Sequence, residues 1–168
     1  TSGAGEKVNA MAVAWHMAQS HNPPIYLVSV SPKRFTHGLL LESNEFVVNF
    51  MPQDMGWLVA AVAGCSGSDV DKYSAFGIKS CPGSQVKAPV LDEAIAAYEC
   101  RVAERHTYGD HDLFVGDILA VQWEPSAFRE DSVMDLDHNT PILYMGGDHY
   151  AAATDLIHLE RTQPKSVV

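Results

Sequence analysis

The apolar residues of this chain fall in short β-branched and aromatic runs with no regular alternation of helices between them, and that arrangement most restricts its fold. After the turn pair Pro23-Pro24, residues Ile25 to Val30 read Ile-Tyr-Leu-Val-Ser-Val, and Phe46 to Phe50 has the same strand chemistry. Tyr98, Cys100 and Val102 alternate with Glu99, Arg101 and Ala103, and Leu113 to Trp123 is a long strand after the turn-like Tyr108-Gly109-Asp110. Ile142 to Met145 is one more short strand, and Asn9 to His16, opening on small and apolar residues, also reads as one. The helical segments are short. Thr36 is placed to cap one that runs through the leucines 39–41 to Asn44. Asp54 caps a second carrying Trp57, Leu58, Ala61 and Val62, with Gly64 at its left-handed end, and Ser68 caps a third ending near Gly77. Pro82 to Pro89 reads as a loop and Glu124 to Pro141 as an acidic, irregular segment. This pattern favours a mainly β fold, a closed antiparallel barrel with short helical excursions, over a doubly wound sheet. No repeat or linker marks a boundary, so one domain over residues 1–168 is expected.

Charge and composition narrow the partners. Lys plus Arg is 11 and Asp plus Glu is 21, a net charge of −10, which disfavours nucleic acid and anionic membrane. An apolar content of 46% with only 19% charged residues describes a folded, soluble protein with part of its surface covered by another subunit. No apolar run approaches the roughly 18–20 residues of a membrane helix, and Thr1 to Val8 lacks the plan of a signal peptide. Cys65, Cys81 and Cys100 contain no CxxC and form an odd set, so reduced cysteines and a cytoplasmic location are expected. His106, His111, His138 and His149 lack tight ligand spacing, so no metal site is expected. The sequence signatures of P-loop, zinc-protease, serine-hydrolase and Rossmann sites are absent.

Four segments carry chemistry. Ser29-Val-Ser-Pro-Lys-Arg-Phe-Thr36 sets hydroxyls and two cations between a strand end and a helix start, which suits either a phosphate or a plain basic turn. Asn9-Ala-Met-Ala-Val-Ala-Trp15 has side chains small enough for a flat heterocycle to reach its backbone, or is an ordinary buried strand. Gly64-Cys-Ser-Gly-Ser-Asp-Val-Asp-Lys72 adds a cation, and Gly109-Asp-His-Asp-Leu-Phe-Val-Gly116 puts His111 in a hairpin loop, free to meet a ligand or merely solvated.

Taken in order over roughly residues 9–150, these segments resemble the flavin reductase-like family, the FMN-binding split barrels, flavoredoxins among them. The likeness rests on Asn9-x-Met-x-x-x-Trp15, the Ser-Val-Ser-x-x-x-x-Thr36 turn, Phe46-Val-Val-Asn49, Gly64-x-Ser-Gly with Asp71-Lys72-Tyr73, Tyr98-Glu-Cys100, and Gly109-Asp-His111 leading to Gly116. The resemblance implies a six-stranded antiparallel Greek-key split barrel that forms a homodimer, with FMN near the interface. Asn9, Ala10, Met11, Ala12, Val13, Ala14 and Trp15 would lie along the flavin ring. Ser29, Ser31, Arg34 and Thr36 would hold its phosphate, with Val30, Asn49, Ser66, Lys72 and Tyr144 as further contacts to the cofactor. His111 would meet the redox face, touching the nicotinamide or supplying a proton. Where relatives often have Met-Thr-x-Ser-Trp, this chain has Met11-Ala-Val-Ala-Trp15, which removes two hydroxyls and leaves backbone contacts. The implied activity is electron transfer from NADH or NADPH through FMN to a small-molecule or protein acceptor. The alternative is a flavoredoxin-type carrier that binds no nicotinamide productively.

Overall fold

A computed structural model describes residues 1–159, so the end of the expected domain, 160–168, lies outside the described residues. The chain begins with a small hairpin, β1 (Ser2–Ala4) and β2 (Lys7–Asn9), and continues through β3 (His16–His21) and β4 (Pro24–Val30) to helix α1 (Phe35–Ser43) and β5 (Glu45–Phe50). One 3-10 turn, Gln53–Met55, leads into α2 (Gly56–Ala63) and then α3 (Lys72–Phe76). Short strands β6 (Ser80–Pro82) and β7 (Pro89–Leu91) precede the long hairpin β8 (Ala96–Tyr108) and β9 (His111–Trp123), and β10 (Ile142–Gly146) pairs with β11 (His149–Ala152). Among the described residues, no helix is long and apolar enough to cross a membrane.

The largest sheet has five antiparallel strands in the order β3-β4-β9-β8-β5, and three two-stranded ribbons surround it. Its edges, β3 and β5, are not paired with each other, so the expected closed barrel is split along that side. Period-two alternation decides which face is the core. Tyr26, Val28 and Val30 of β4, Phe46 of β5, Cys100 and Phe114 are buried together with Leu40 of α1. Val47 and Ala97 face the other way, against Val86, Ala88 and Val90 of the loop and β7.

Several local expectations are corrected. Residues 10–13 are irregular backbone, although their side chains alternate as a strand's would. Met11 and Val13 pack on the barrel core, whereas Ala10 and Ala12 pack on the α2–α3 side with Leu58, Val62 and Tyr73. Helix α1 is capped by Arg34, without a side-chain bond, and Thr36 lies inside its first turn. Met55 caps α2 and Asp71 caps α3 in place of Asp54 and Ser68, and the Asp71 carboxylate accepts from the amides of Tyr73 and Ser74. Gly64 is right-handed. His111 is the first residue of β9, opposite Tyr108 across a turn whose Gly109 has φ +61°, a conformation that side chains with a Cβ disfavour. Strand β3 was not expected, because His-Met-Ala-Gln-Ser-His has little strand chemistry and lies at an exposed edge.

Candidate functional site

The bend after β4 has the features of an anion subsite. Among the described residues, the amides of Phe35 and Thr36, at the start of α1, donate to no backbone acceptor, and the first turn holds no acidic residue. The side chains of Lys33 and Arg34 are exposed beside them. Ser31 is buried, its backbone carbonyl accepting from Arg34 N at 2.9 Å and its hydroxyl from Lys33 N at 3.4 Å. Thr36 Oγ1 accepts a 2.7 Å bond from the buried Asn9 amide, which leaves the hydroxyl proton of Thr36 to donate elsewhere.

Asn9 is also where the third motif arrives. A Cβ on Gly67 would collide with Asn9 Oδ1 and lie 2.6 Å from Phe35 Cδ1, so only a residue without a side chain lets this loop close against α1. Ser66, the neighbouring residue, bonds Ser68 Oγ at 2.8 Å. Lys72, at 3% exposure, donates to the carbonyls of Ala10 (3.0 Å) and Val62 (2.7 Å). Its ammonium therefore ties residue 10 to α2. Burial lowers its pKa; nearby Cys65 acts in the opposite sense, and Arg34 adds to the lowering.

Beyond Asn9 the backbone is open. Among the described residues, the amides of Met11, Ala12, Val13 and Ala14 donate to no backbone acceptor, an unusual run for a chain segment lying between two cores. The segment ends at Trp15, which is 62% exposed and whose carbonyl accepts from Ser29 N at 2.9 Å. Its indole lies 4.6 Å from the His111 ring, centroid to centroid. Asp110 accepts from or pairs with His111 Nδ1 at 2.8 Å; that bond is the main cause holding the Asp110 carboxyl low, with Lys33 adding a smaller effect. Asn9 is thus tied to Thr36, and Trp15 to both Ser29 and His111, which links the bend to the start of β9.

Two expected contacts lie elsewhere. Asn49 is on the outer face of β5, where its Oδ1 accepts from Leu91 N at 2.9 Å and its amide reaches Thr1 Oγ1 at 3.2 Å. Tyr144 is on the separate β10–β11 ribbon, its ring 5.4 Å from that of Tyr150. Two residues that the sequence reading passed over join the site's frame. His37 Nε2 and Asp112 Oδ2 lie 2.8 Å apart, both buried, and a cation-type residue and an acid this far apart in sequence carry no local signal of pairing.

A mainly antiparallel split barrel with unpaired amides at the start of α1 and along residues 11–14 is the class that this fold and site define. A family model described as the flavin reductase like domain matches residues 1–153, and the chain belongs to that family. It is 38% identical over 131 residues, 76% of this chain and 73% of the other, to an uncharacterised protein of Pyrococcus abyssi. Its structure superposes on an FMN-binding protein from Thermus thermophilus, crystallised with 1-cyclohex-2-enone, with a TM-score of 0.86 and 36% identity, covering 95% of this chain and 86% of that one. It superposes likewise on a flavoredoxin from Methanosarcina acetivorans, with a TM-score of 0.84 and 27% identity, covering 94% and 84%. The mainly β split-barrel class expected from the sequence holds, with five strands in its main sheet.

Proposed function

We propose that this protein binds FMN along residues 9–15 and 29–36 and passes electrons from NADH or NADPH through it to an acceptor. The observation that carries the reading is the pair of unpaired backbone runs, the amides of 11–14 and those of Phe35 and Thr36, joined by Asn9 and Thr36. One run suits the hydrogen-bonding edge of a flat heterocycle and the other a phosphate, the two recognition features of a flavin mononucleotide. Bound FMN supplies the hydride acceptor and the route for electrons, so the protein needs no acid–base triad.

The chain's own residues bind and orient. The Phe35 and Thr36 amides and the Thr36 hydroxyl would hold the phosphate, and Arg34 would neutralise its charge with Lys33 close by. Side chains of residues 10–13 are committed to the two cores, so this segment contacts the ring through its backbone. Trp15 forms a wall at the redox end. His111, whose Nδ1 lies 2.8 Å from Asp110 Oδ1, would contact the nicotinamide or supply a proton. Lys72 holds the segment in place through the Ala10 carbonyl instead of touching the phosphate.

A second copy of the chain is the proposed cover for the exposed apolar residues, which include Met17 at 54% and Trp123 at 60%. The likeness to the Methanosarcina flavoredoxin favours one second reading, a carrier between protein partners that accepts no hydride from nicotinamide. Absorption spectra during FMN titration, followed by stopped-flow mixing with NADH and with NADPH, separate the readings. Uptake of FMN with bleaching by either nucleotide is expected. Uptake without bleaching selects the carrier, and failure to take up FMN removes both.

A further inference from the structure

We propose that Asp112 is a positioning residue that closes the 30–37 bend into a fixed ring and so makes it selective for a phosphorylated flavin. The inference rests on the FMN reading above and adds the group that shapes the phosphate subsite.

Both ends of the bend meet at this one residue. Val30, the last residue of β4, stands opposite Asp112 in the β4–β9 register. His37, in the first turn of α1, returns to the same residue through Nε2, 2.8 Å from Asp112 Oδ2. Everything between them, including Ser31, Arg34 and the free amides of Phe35 and Thr36, is therefore held by a single anchor. The anchor is itself fixed. Asp112 Oδ1 accepts from Thr107 Oγ1 at 2.7 Å, the Arg105 guanidinium lies 3.4 Å from Oδ2, and the two buried side chains are shielded from solvent. The His37 ring packs edge-on against Phe114 at 5.5 Å and 72°, so its direction is set by the core. A helix start presents its amides to an anion only if its first turn is held against the strand that precedes it, and here the tie is a side-chain pair spanning 75 residues. Asp112 also follows His111 directly, so the same residue registers the phosphate end of the site to its redox end.

The test compares FMN with riboflavin, which lacks the phosphate, by fluorescence titration of the full chain and of three variants. In the parent chain FMN binds more tightly than riboflavin. His37→Phe keeps the ring packing on Phe114 and removes the bond to Asp112. It is expected to cut the FMN-to-riboflavin affinity ratio by about tenfold or more, while riboflavin affinity stays within about threefold. His37→Gln restores a donor and should restore the ratio. Asp112→Asn, close in shape to the parent, should lower it as His37→Phe does, and it provides the test should His37→Phe fail to fold. A ratio unchanged in folded His37→Phe or Asp112→Asn overturns the inference, as does an equal loss for both flavins, which would mark a purely structural role. A parent chain that takes up neither flavin overturns the FMN reading itself and the inference with it. A parent chain that binds both flavins equally leaves a flavin site but no phosphate-selective bend, and overturns the inference.

Discussion

The rings of Trp15 and His111 lie 4.6 Å apart and are tilted by 44°, although one side chain ends an irregular segment and the other begins β9. The contact covers part of His111 and leaves most of the indole open, which is the arrangement expected of a wall against which a planar ligand rests. His111→Ala should slow flavin reduction by NADH or NADPH by about tenfold to a hundredfold while FMN affinity changes little, since the phosphate and backbone contacts remain. Stopped-flow reduction combined with FMN titration checks this, and an unchanged reduction rate removes His111 from the redox face.

Arg34 tests the other end. If Arg34 is the proposed partner of the phosphate, replacing it with Ala removes a charge-assisted bond worth about 1.5–3 kcal/mol and should weaken FMN while leaving riboflavin unaffected. Equilibrium dialysis with both flavins measures the difference. Equal affinities before and after the change would take Arg34 out of the subsite.

Gly67→Ala places a methyl group against the buried Asn9 side chain and Phe35. Neither neighbour is the free end of a long chain, so the loop must retreat. A loss of about 1–3 kcal/mol in urea unfolding is expected, together with weaker FMN binding because Asn9 positions Thr36. Parent-like stability would mean that the loop shifts without cost.

Glu99 carries a pH prediction. It is fully buried and accepts from Ser84 Oγ (2.9 Å), Gln85 N (2.6 Å), Val86 N (3.2 Å) and Gln122 Nε2 (2.6 Å). Burial alone would raise its pKa, but the bonds from Gln85, Ser84 and Gln122 outweigh it and bring the value from 4.5 down to about 2. A carboxyl depressed on folding stabilises the protein above its unfolded pKa and loses that contribution as pH falls through the folded value. Unfolding midpoints of the parent should therefore fall between pH 4.5 and about 2 more steeply than those of Glu99→Gln. Parallel curves would refute the assignment.

The strands with strong local chemistry were legible. β4, β5, β9 and β10 lie where the β-branched and aromatic runs put them, to within a few residues at the ends. Residues 10–13 misled because alternation of side chains between two cores looks the same as alternation across a sheet; what distinguishes them is the absence of a ladder partner, which no local pattern encodes. The capping of α1 was misassigned for a related reason. Thr36 has the chemistry of a cap, but Asn9 occupies its oxygen, and Asn9 is 27 residues away.

By itself the sequence determined the family, the strand-rich class and the inventory of hydroxyls, cations and small residues assigned to the proposed flavin site. Those depend on residue type and order, which sequence records directly. Tertiary structure alone decided which of them meet. It brought Asn9 to Thr36 and Gly67, committed Lys72 to a carbonyl, sent Asn49 and Tyr144 elsewhere, and joined His37 to Asp112. Such pairings depend on strand register and on how the helices dock, and these are set by packing of the whole core rather than by any window of the chain.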